Sequence, residues 1–184
     1  MTQTSKWTLE KFLEIPEQKP ALEFNPDQSI TQKMAPNFPH SELQVHIAYL
    51  FRRYLDGHAD EHGHVVSELR TTVGGASRLP DVAYYRGGRP RLGASRDALS
   101  AADLAVEILS PRDDREVLRA KCRWYIEQGS RAVLLLDPEA EIAEYFGPAG
   151  TWDAYLGTRV LPLEDILPAL DLTPRAIFAI LHQA

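Results

Sequence analysis

The segment Asp103-Leu-Ala-Val-Glu-Ile-Leu109 constrains the fold of this chain more than any other stretch. It is a short apolar run, the length of a strand rather than a helix. Alternation puts Ala105, Glu107 and Leu109 on one face and Leu104, Val106 and Ile108 on the other. A strand apolar on both faces is a buried strand, covered by a layer on each side. Glu107 breaks that pattern. A carboxylate among such neighbours is costly unless it is paired or holds a metal. The alternative is an edge strand with one face in water.

A second residue breaks its pattern in the segment Asp113 to Gln128, which is predicted as a helix with Gly129 just past its end. With Val117 at 0°, Leu118 falls at about 100°, Trp124 at about 340° and Tyr125 at about 80°, while Lys121 falls at about 40°. Lys121 therefore lies within the apolar stripe, with Arg115, Glu116, Arg119, Arg123 and Glu127 on the other side. A core-facing lysine calls for a carboxylate partner; the alternative is a stem that packs while the ammonium escapes to water. The third residue is Asp81, directly after Pro80 at the start of a predicted strand over 81–85. Alone it is an ordinary turn aspartate. Two carboxylates on neighbouring strands can share a hard cation such as Mg²⁺. A lysine beside them can position water and stabilise charge developing on a phosphate.

The remaining elements follow from periodicity and turn residues. A short helix is expected over 8–14, stopped by Pro16, and two strands over 22–24 and 29–34 around Asn25-Pro26-Asp27. A loop with two prolines over 35–39 precedes an amphipathic helix from His40 to Leu55, ended by Gly57. One strand is expected over 64–73, closed by Gly74-Gly75. The polar stretch 86–100 is expected to be a mobile loop carrying Arg86, Arg89, Arg91 and Arg96. A buried strand over 131–136, a turn at Asp137-Pro138-Glu139, and a hairpin from 141–146 and 152–156 come next. Thr173 and Pro174 open a closing helix as N-cap and first residue. This mixture gives an α/β (α+β) fold with a mixed β-sheet flanked by helices.

The chain has 184 residues, and residues 1–184 are expected to form one domain. No apolar run is long enough to span a bilayer, and the opening Met-Thr-Gln-Thr-Ser-Lys-Trp carries no signal-peptide core. The lone Cys122 excludes an intramolecular disulfide and a multi-cysteine zinc site, so a cytoplasmic address is the default. The net charge of −6 argues against a generally basic nucleic-acid binder. Basic residues nevertheless outnumber acidic ones between Arg78 and Arg131, which makes that third the expected face for an anionic partner.

Several other signals do not reach a motif. His58, His62 and His64 lack the glutamate of a zincin helix, since Ala59 stands in its place. Gly75-Ala-Ser77-Arg-Leu79 lacks the second glycine of a nucleophile elbow, and Gly74-Gly75 has no phosphate-loop lysine after it. Cys122, at the stripe's edge, reads as packing. A sugar hydrolase built on a carboxylate pair would leave Lys121 without a purpose.

Taken with its surroundings, the chain resembles the Uma-type (Uma-two) restriction-endonuclease group within the PD-(D/E)XK nuclease superfamily. The resemblance rests on Arg78-Leu-Pro-Asp-Val82, on Asp103-Leu-Ala-Val-Glu-Ile-Leu-Ser-Pro111, on Lys121, Tyr125 and Gly129, and on Leu134-Leu-Leu-Asp-Pro-Glu139. Weaker matches are Glu23 in Leu-Glu-Phe and His40 after Ala35-Pro36. The resemblance implies a restriction-endonuclease-like core and a Mg²⁺-dependent DNA endonuclease, with Mn²⁺ as a substitute ion. It implies that Asp81, Glu107 and the carbonyl of Ile108 bind the metal, that Lys121 is the catalytic lysine, and that Glu23 and His40 are auxiliary. In the superfamily pattern the lysine stands two residues after the acid, where this chain has Leu109; in the family it stands on the helix, as here. Asn25-Pro26-Asp27 replaces the family's Asp-Gly turn. DNA is the expected partner, held by Arg86, Arg89, Arg91 and Arg96, with no membrane; a homodimer accords with duplex cleavage. The competing reading is a catalytically inactive nuclease-fold module that binds DNA or another partner.

Overall fold

Strands Leu104–Ile108 (β7) and Ala132–Asp137 (β8) run parallel, in register from Leu104 opposite Ala132 to Ile108 opposite Leu136. A parallel pair cannot be closed by a tight turn and needs a crossover. The helix Arg115–Glu127 (α3) is that crossover. Asp114 caps it, accepting from the backbone N–H of Glu116 and Val117. At the other end Gly129 takes φ +107°, a conformation that suits glycine.

These observations come from a computed structural model, which describes residues 7–182. The chain's opening residues 1–6 lie outside that range. The helices Leu9–Leu13 (α1), Phe38–Gly57 (α2) and Pro174–Phe178 (α4) complete the helical elements, with a 3-10 turn over Ala179–His182. The strands before β7 are Leu22–Phe24 (β1), Ile30–Gln32 (β2), Gly63–Ser67 (β3), Thr71–Val73 (β4), Ala76–Arg78 (β5) and Val82–Arg86 (β6); Ile142–Phe146 (β9) and Trp152–Tyr155 (β10) follow β8. They make a six-stranded sheet, β10-β9-β8-β7-β6-β3, and a four-stranded sheet, β2-β1-β5-β4. Except for β7 with β8, neighbouring strands are antiparallel, so the large sheet is mixed as expected.

β7 lies inside the sheet, between β6 and β8, and both its faces are buried. On one face Leu104, Val106 and Ile108 pack with Leu43, Ile47 and Phe51 of α2 and with Ile177 and Phe178 of α4. On the other, Ala105 packs with Cys122, Trp124 and Tyr125 of α3, where Ala76 of β5 joins them. Glu107 points to this second face. The edge-strand alternative for Glu107 is thereby excluded.

Three local expectations are corrected. The β-branched stretch 64–73 is two strands in two sheets, because Glu68 takes φ +50° and turns the chain between β3 and β4. Gly74 and Gly75, both at positive φ, form a two-residue hairpin into a further strand, β5, rather than closing the segment. Helix α2 begins at Phe38, with Asn37 as its cap and Pro39 in its first turn, where a missing N–H costs nothing. The loop over 86–100 forms a strap anchored to β4 at Ala98, a pairing the sequence expectation lacked. The Ala98 N–H donates to the Arg70 carbonyl and its own carbonyl accepts from Thr72, both at 2.8 Å. Among the described residues no helix is long and apolar enough to cross a membrane.

Candidate active site

The β6–β7 register sets the site. Val82 lies opposite Val106, so continuing one step places Asp81 opposite Glu107. Side chains in such a pair start about 5 Å apart on the same face. Asp81 is locked there by both of its ends. Its backbone N–H donates to the Val106 carbonyl, its carbonyl accepts from Gln44 Nε2, and its Oδ2 accepts from the Ile108 N–H at 2.8 Å. His40 Nε2, on the first turn of α2, lies 3.3 Å from the same Oδ2.

Lys121 reaches into this pair from α3. Its side chain is only 9% exposed, so the ammonium does not escape to solvent. Nζ lies 2.9 Å from Glu107 Oε1, 2.7 Å from Glu23 Oε1 and 2.9 Å from the Leu79 carbonyl oxygen. Tyr125, one turn further along the helix, donates its hydroxyl to Glu107 Oε1 at 3.0 Å. Glu23 also accepts from the Leu79 N–H, so the small sheet contributes a carboxylate to the cluster. Lys33, just after β2, donates to Asp81 Oδ1 at 2.7 Å.

The charges set one another. Burial pushes the Glu107 carboxyl up; Lys121 opposes this, Asp81 adds to it, and the result is about 7. Burial would also raise Asp81, yet the Lys33 ammonium and His40 hold it well below the usual carboxylate range. Glu23 is likewise lowered, against its burial, by Lys121. Burial works against the charge on Lys121, but Glu107, Glu23 and Asp81 outweigh it and raise its pKa.

A charged clamp holds α3 in place. Arg115 pairs with Asp137 and, at 2.9 Å, with Glu144; Arg119 pairs with Glu144 at 2.8 Å and lies over the Trp152 ring. Helix, β8 and β9 are thus tied together on the side of α3 away from the carboxylates.

Asp81, Glu107, Lys121, Glu23, His40 and Ile108 all line one open cleft. The arginines of the strap do not. β6 carries the chain from Asp81 to Arg86, about 17 Å at 3.3 Å per residue. There Arg86 pairs with Glu61 and donates to the Asp165 carbonyl. Arg89 and Arg96 border a different hollow, beside His64, Val66 and Leu69. None of the four arginines expected to hold DNA lines the cleft; Arg96 also borders a further hollow with Glu68 and Arg70. The basic residues at the cleft are Lys33, Arg78, Arg112 and Lys121. Val117 also departs from its predicted place. It is exposed at the cleft, while Cys122 is fully buried and its thiol is pushed up by burial.

Sequence reasoning missed Lys33, Gln44 and Arg78. Arg78 donates to Asn25 Oδ1 at 2.8 Å and lies over the Trp124 ring. Only its place in Arg78-Leu-Pro-Asp could have drawn attention to it. Lys33 and Gln44 carry no local signal. Among the described residues no three His, Cys, Asp or Glu side chains close into a metal cage. Asp81 and Glu107, with the Ile108 carbonyl, could supply hard oxygen donors from one wall, leaving further positions to water.

A model of the family described as "Uma2: Putative restriction endonuclease" matches residues 9–177. The chain belongs to the Uma2 family. A solved structure described as "a putative nuclease belonging to DUF820", from Anabaena variabilis ATCC 29413, shares the fold of this Uma2 chain. Its TM-score is 0.86 at 24% identity, over 95% of this chain and 99% of that one. No match is found among curated proteins.

Proposed function

We propose that this Uma2 protein is a Mg²⁺-dependent endodeoxyribonuclease that hydrolyses phosphodiester bonds. The observation that carries the reading is the buried ammonium of Lys121, held by Glu107 and Glu23 at the floor of an open cleft beside Asp81. A buried cation amid three carboxylates is an expensive arrangement for stability alone, and family membership supplies the chemistry it suits.

Asp81, Glu107 and the Ile108 carbonyl would hold the ion. When bound, Mg²⁺ supplies charge neutralisation of the phosphate and makes water a better nucleophile at neutral pH. The chain's own groups do the rest. The Ile108 N–H and His40 fix the Asp81 carboxylate, so that it needs no reorganisation when substrate arrives. Tyr125 orients Glu107 by one oxygen. Lys121 stands where it can hold the attacking water and face the negative charge that grows on the phosphate. Arg112 in the cleft lining offers a cation to a DNA phosphate, while a bound metal ion would offset the carboxylates that outnumber the basic residues there.

Incubation of the protein with plasmid and with single-stranded DNA, in Mg²⁺ or in chelator, tests this. Nicking or linearisation is expected with Mg²⁺ only. Asp81→Asn and Glu107→Gln should abolish it and Lys121→Ala should lower it by about 10²-fold or more, each with an unchanged circular-dichroism spectrum. Cleavage that persists in Asp81→Asn would overturn the assignment, and no cleavage of any DNA would favour the inactive module.

A further inference from the structure

We propose, resting on the metal-site reading above, that Lys33 is the resident counter-cation of Asp81, and that a divalent ion entering the cleft drives its ammonium off Oδ1 and onto Glu68. The two oxygens of Asp81 are not equivalent. Oδ2 is committed to the Ile108 N–H and to His40. Oδ1 is bonded by Lys33 alone among the described residues, at 2.7 Å. A cation that binds Asp81 through Oδ1 therefore meets an ammonium already there. The two compete for the same lone pairs and repel each other.

The two lysines of the cluster differ in how firmly they are held. Lys121 has Glu23, Glu107 and the Leu79 carbonyl, all within 3.1 Å. Lys33 has one short carboxylate contact, a longer one of 3.3 Å to the Leu79 carbonyl, and Glu68 Oε1 waiting at 3.8 Å. Its flexible four-carbon stem allows the ammonium to move by that much while the backbone stays in place. Glu68 is placed for the purpose. Its side chain is 46% exposed, at the turn between β3 and β4. Its own N–H donates to the Asp81 carbonyl at 3.3 Å, which ties the receiving carboxylate to the residue that gives the ammonium up. Lys33 is thus a positioning residue: it keeps Asp81 charged and in place without metal, and it sets how strongly metal must bind to take over.

The test is calorimetric titration of Ca²⁺ into the metal-stripped full-length protein, as wild type, Lys33→Met, Glu68→Gln and the double variant, with Asp81→Asn as the site control. Lys33→Met should bind Ca²⁺ at least about tenfold more tightly, equivalent to about 1.4 kcal/mol. Lys33→Arg, which keeps the charge, should bind like wild type, and Lys33→Gln should repeat the gain if Lys33→Met folds poorly. Glu68→Gln should weaken binding several-fold in the wild type and have little effect once Lys33 is gone, a non-additivity that a remote charge would not produce. Equal affinity in wild type and Lys33→Met, with heat that Asp81→Asn abolishes, overturns this inference and leaves the metal site standing. Equal effects of Glu68→Gln with and without Lys33 overturn the role of Glu68. Absence of any heat sensitive to Asp81→Asn overturns the metal-site reading together with the inference.

Discussion

Glu107 carries a consequence that can be measured without substrate. Its folded-state value of about 7 lies above the ordinary 4.5, so the folded protein binds that proton more tightly than the unfolded chain. The stability it contributes is complete below pH 4.5 and is lost as pH rises through about 7. In chelator, the urea midpoint should fall over that window, and Glu107→Gln should flatten the fall; parallel profiles would contradict it. Lys121 offers a positional test. Leu109 lies one alternation beyond Glu107 on the same strand face, so a lysine there approaches the same water. Leu109→Lys in the Lys121→Ala background should recover part of the lost cleavage rate; a well-folded double variant as inactive as Lys121→Ala would contradict this geometry. Glu107 and Lys121 were legible in the sequence because each breaks an apolar pattern, and a broken pattern survives without coordinates. Lys33 and Gln44 were not. Neither breaks a pattern in its own segment, and their meeting with Asp81 comes from tertiary packing that no local spacing records. Asn25-Pro26-Asp27 departs from the family's turn, yet β1 still delivers Glu23 to Lys121, because strand pairing rather than turn sequence sets its direction.

At the scale of elements, α3 is both the crossover of the parallel pair and the carrier of Lys121 and Tyr125. Its orientation depends on the Arg115–Asp137–Glu144–Arg119 clamp. Glu144→Ala leaves two guanidinium groups facing each other with one fewer anion between them. Both arginines are partly in water, so the loss should be about 1–3 kcal/mol rather than that of a fully buried pair. Urea denaturation measures it, and cleavage should fall as well, since the lysine moves with its helix; an unchanged midpoint would contradict the clamp. The helical stripe was legible as a stripe, but not its centre. On the wheel Val117 lies between Trp124 and Lys121, inside the predicted stripe, yet its side chain is exposed at the cleft. Strand composition likewise announced β3 and β4 without their break, because left-handed backbone at a glutamate has no residue signature.

Across the whole molecule the sign of a charged surface was legible in the sequence, but not its direction. The basic excess between Arg78 and Arg131 is divided, with Arg112 lining the cleft and Arg89 and Arg96 lining a separate hollow. Arg89→Ala with Arg91→Ala should therefore leave the salt dependence of DNA binding unchanged, while Arg112→Ala should reduce its slope by about 1. Fluorescence anisotropy against salt concentration separates the two, and a flattened slope in the first variant would return the strap to the interface. Layered order was the most legible property, since apolar runs at 104–108 and 132–136 and an intervening amphipathic helix leave few other arrangements. Catalysis as proposed depends on one ion position. A crystal soaked in Mn²⁺ should show an anomalous peak about 2.0–2.6 Å from carboxylate oxygens of both Asp81 and Glu107 and from the Ile108 carbonyl. A well-ordered cleft with no such peak, or a peak that touches neither carboxylate, would contradict it.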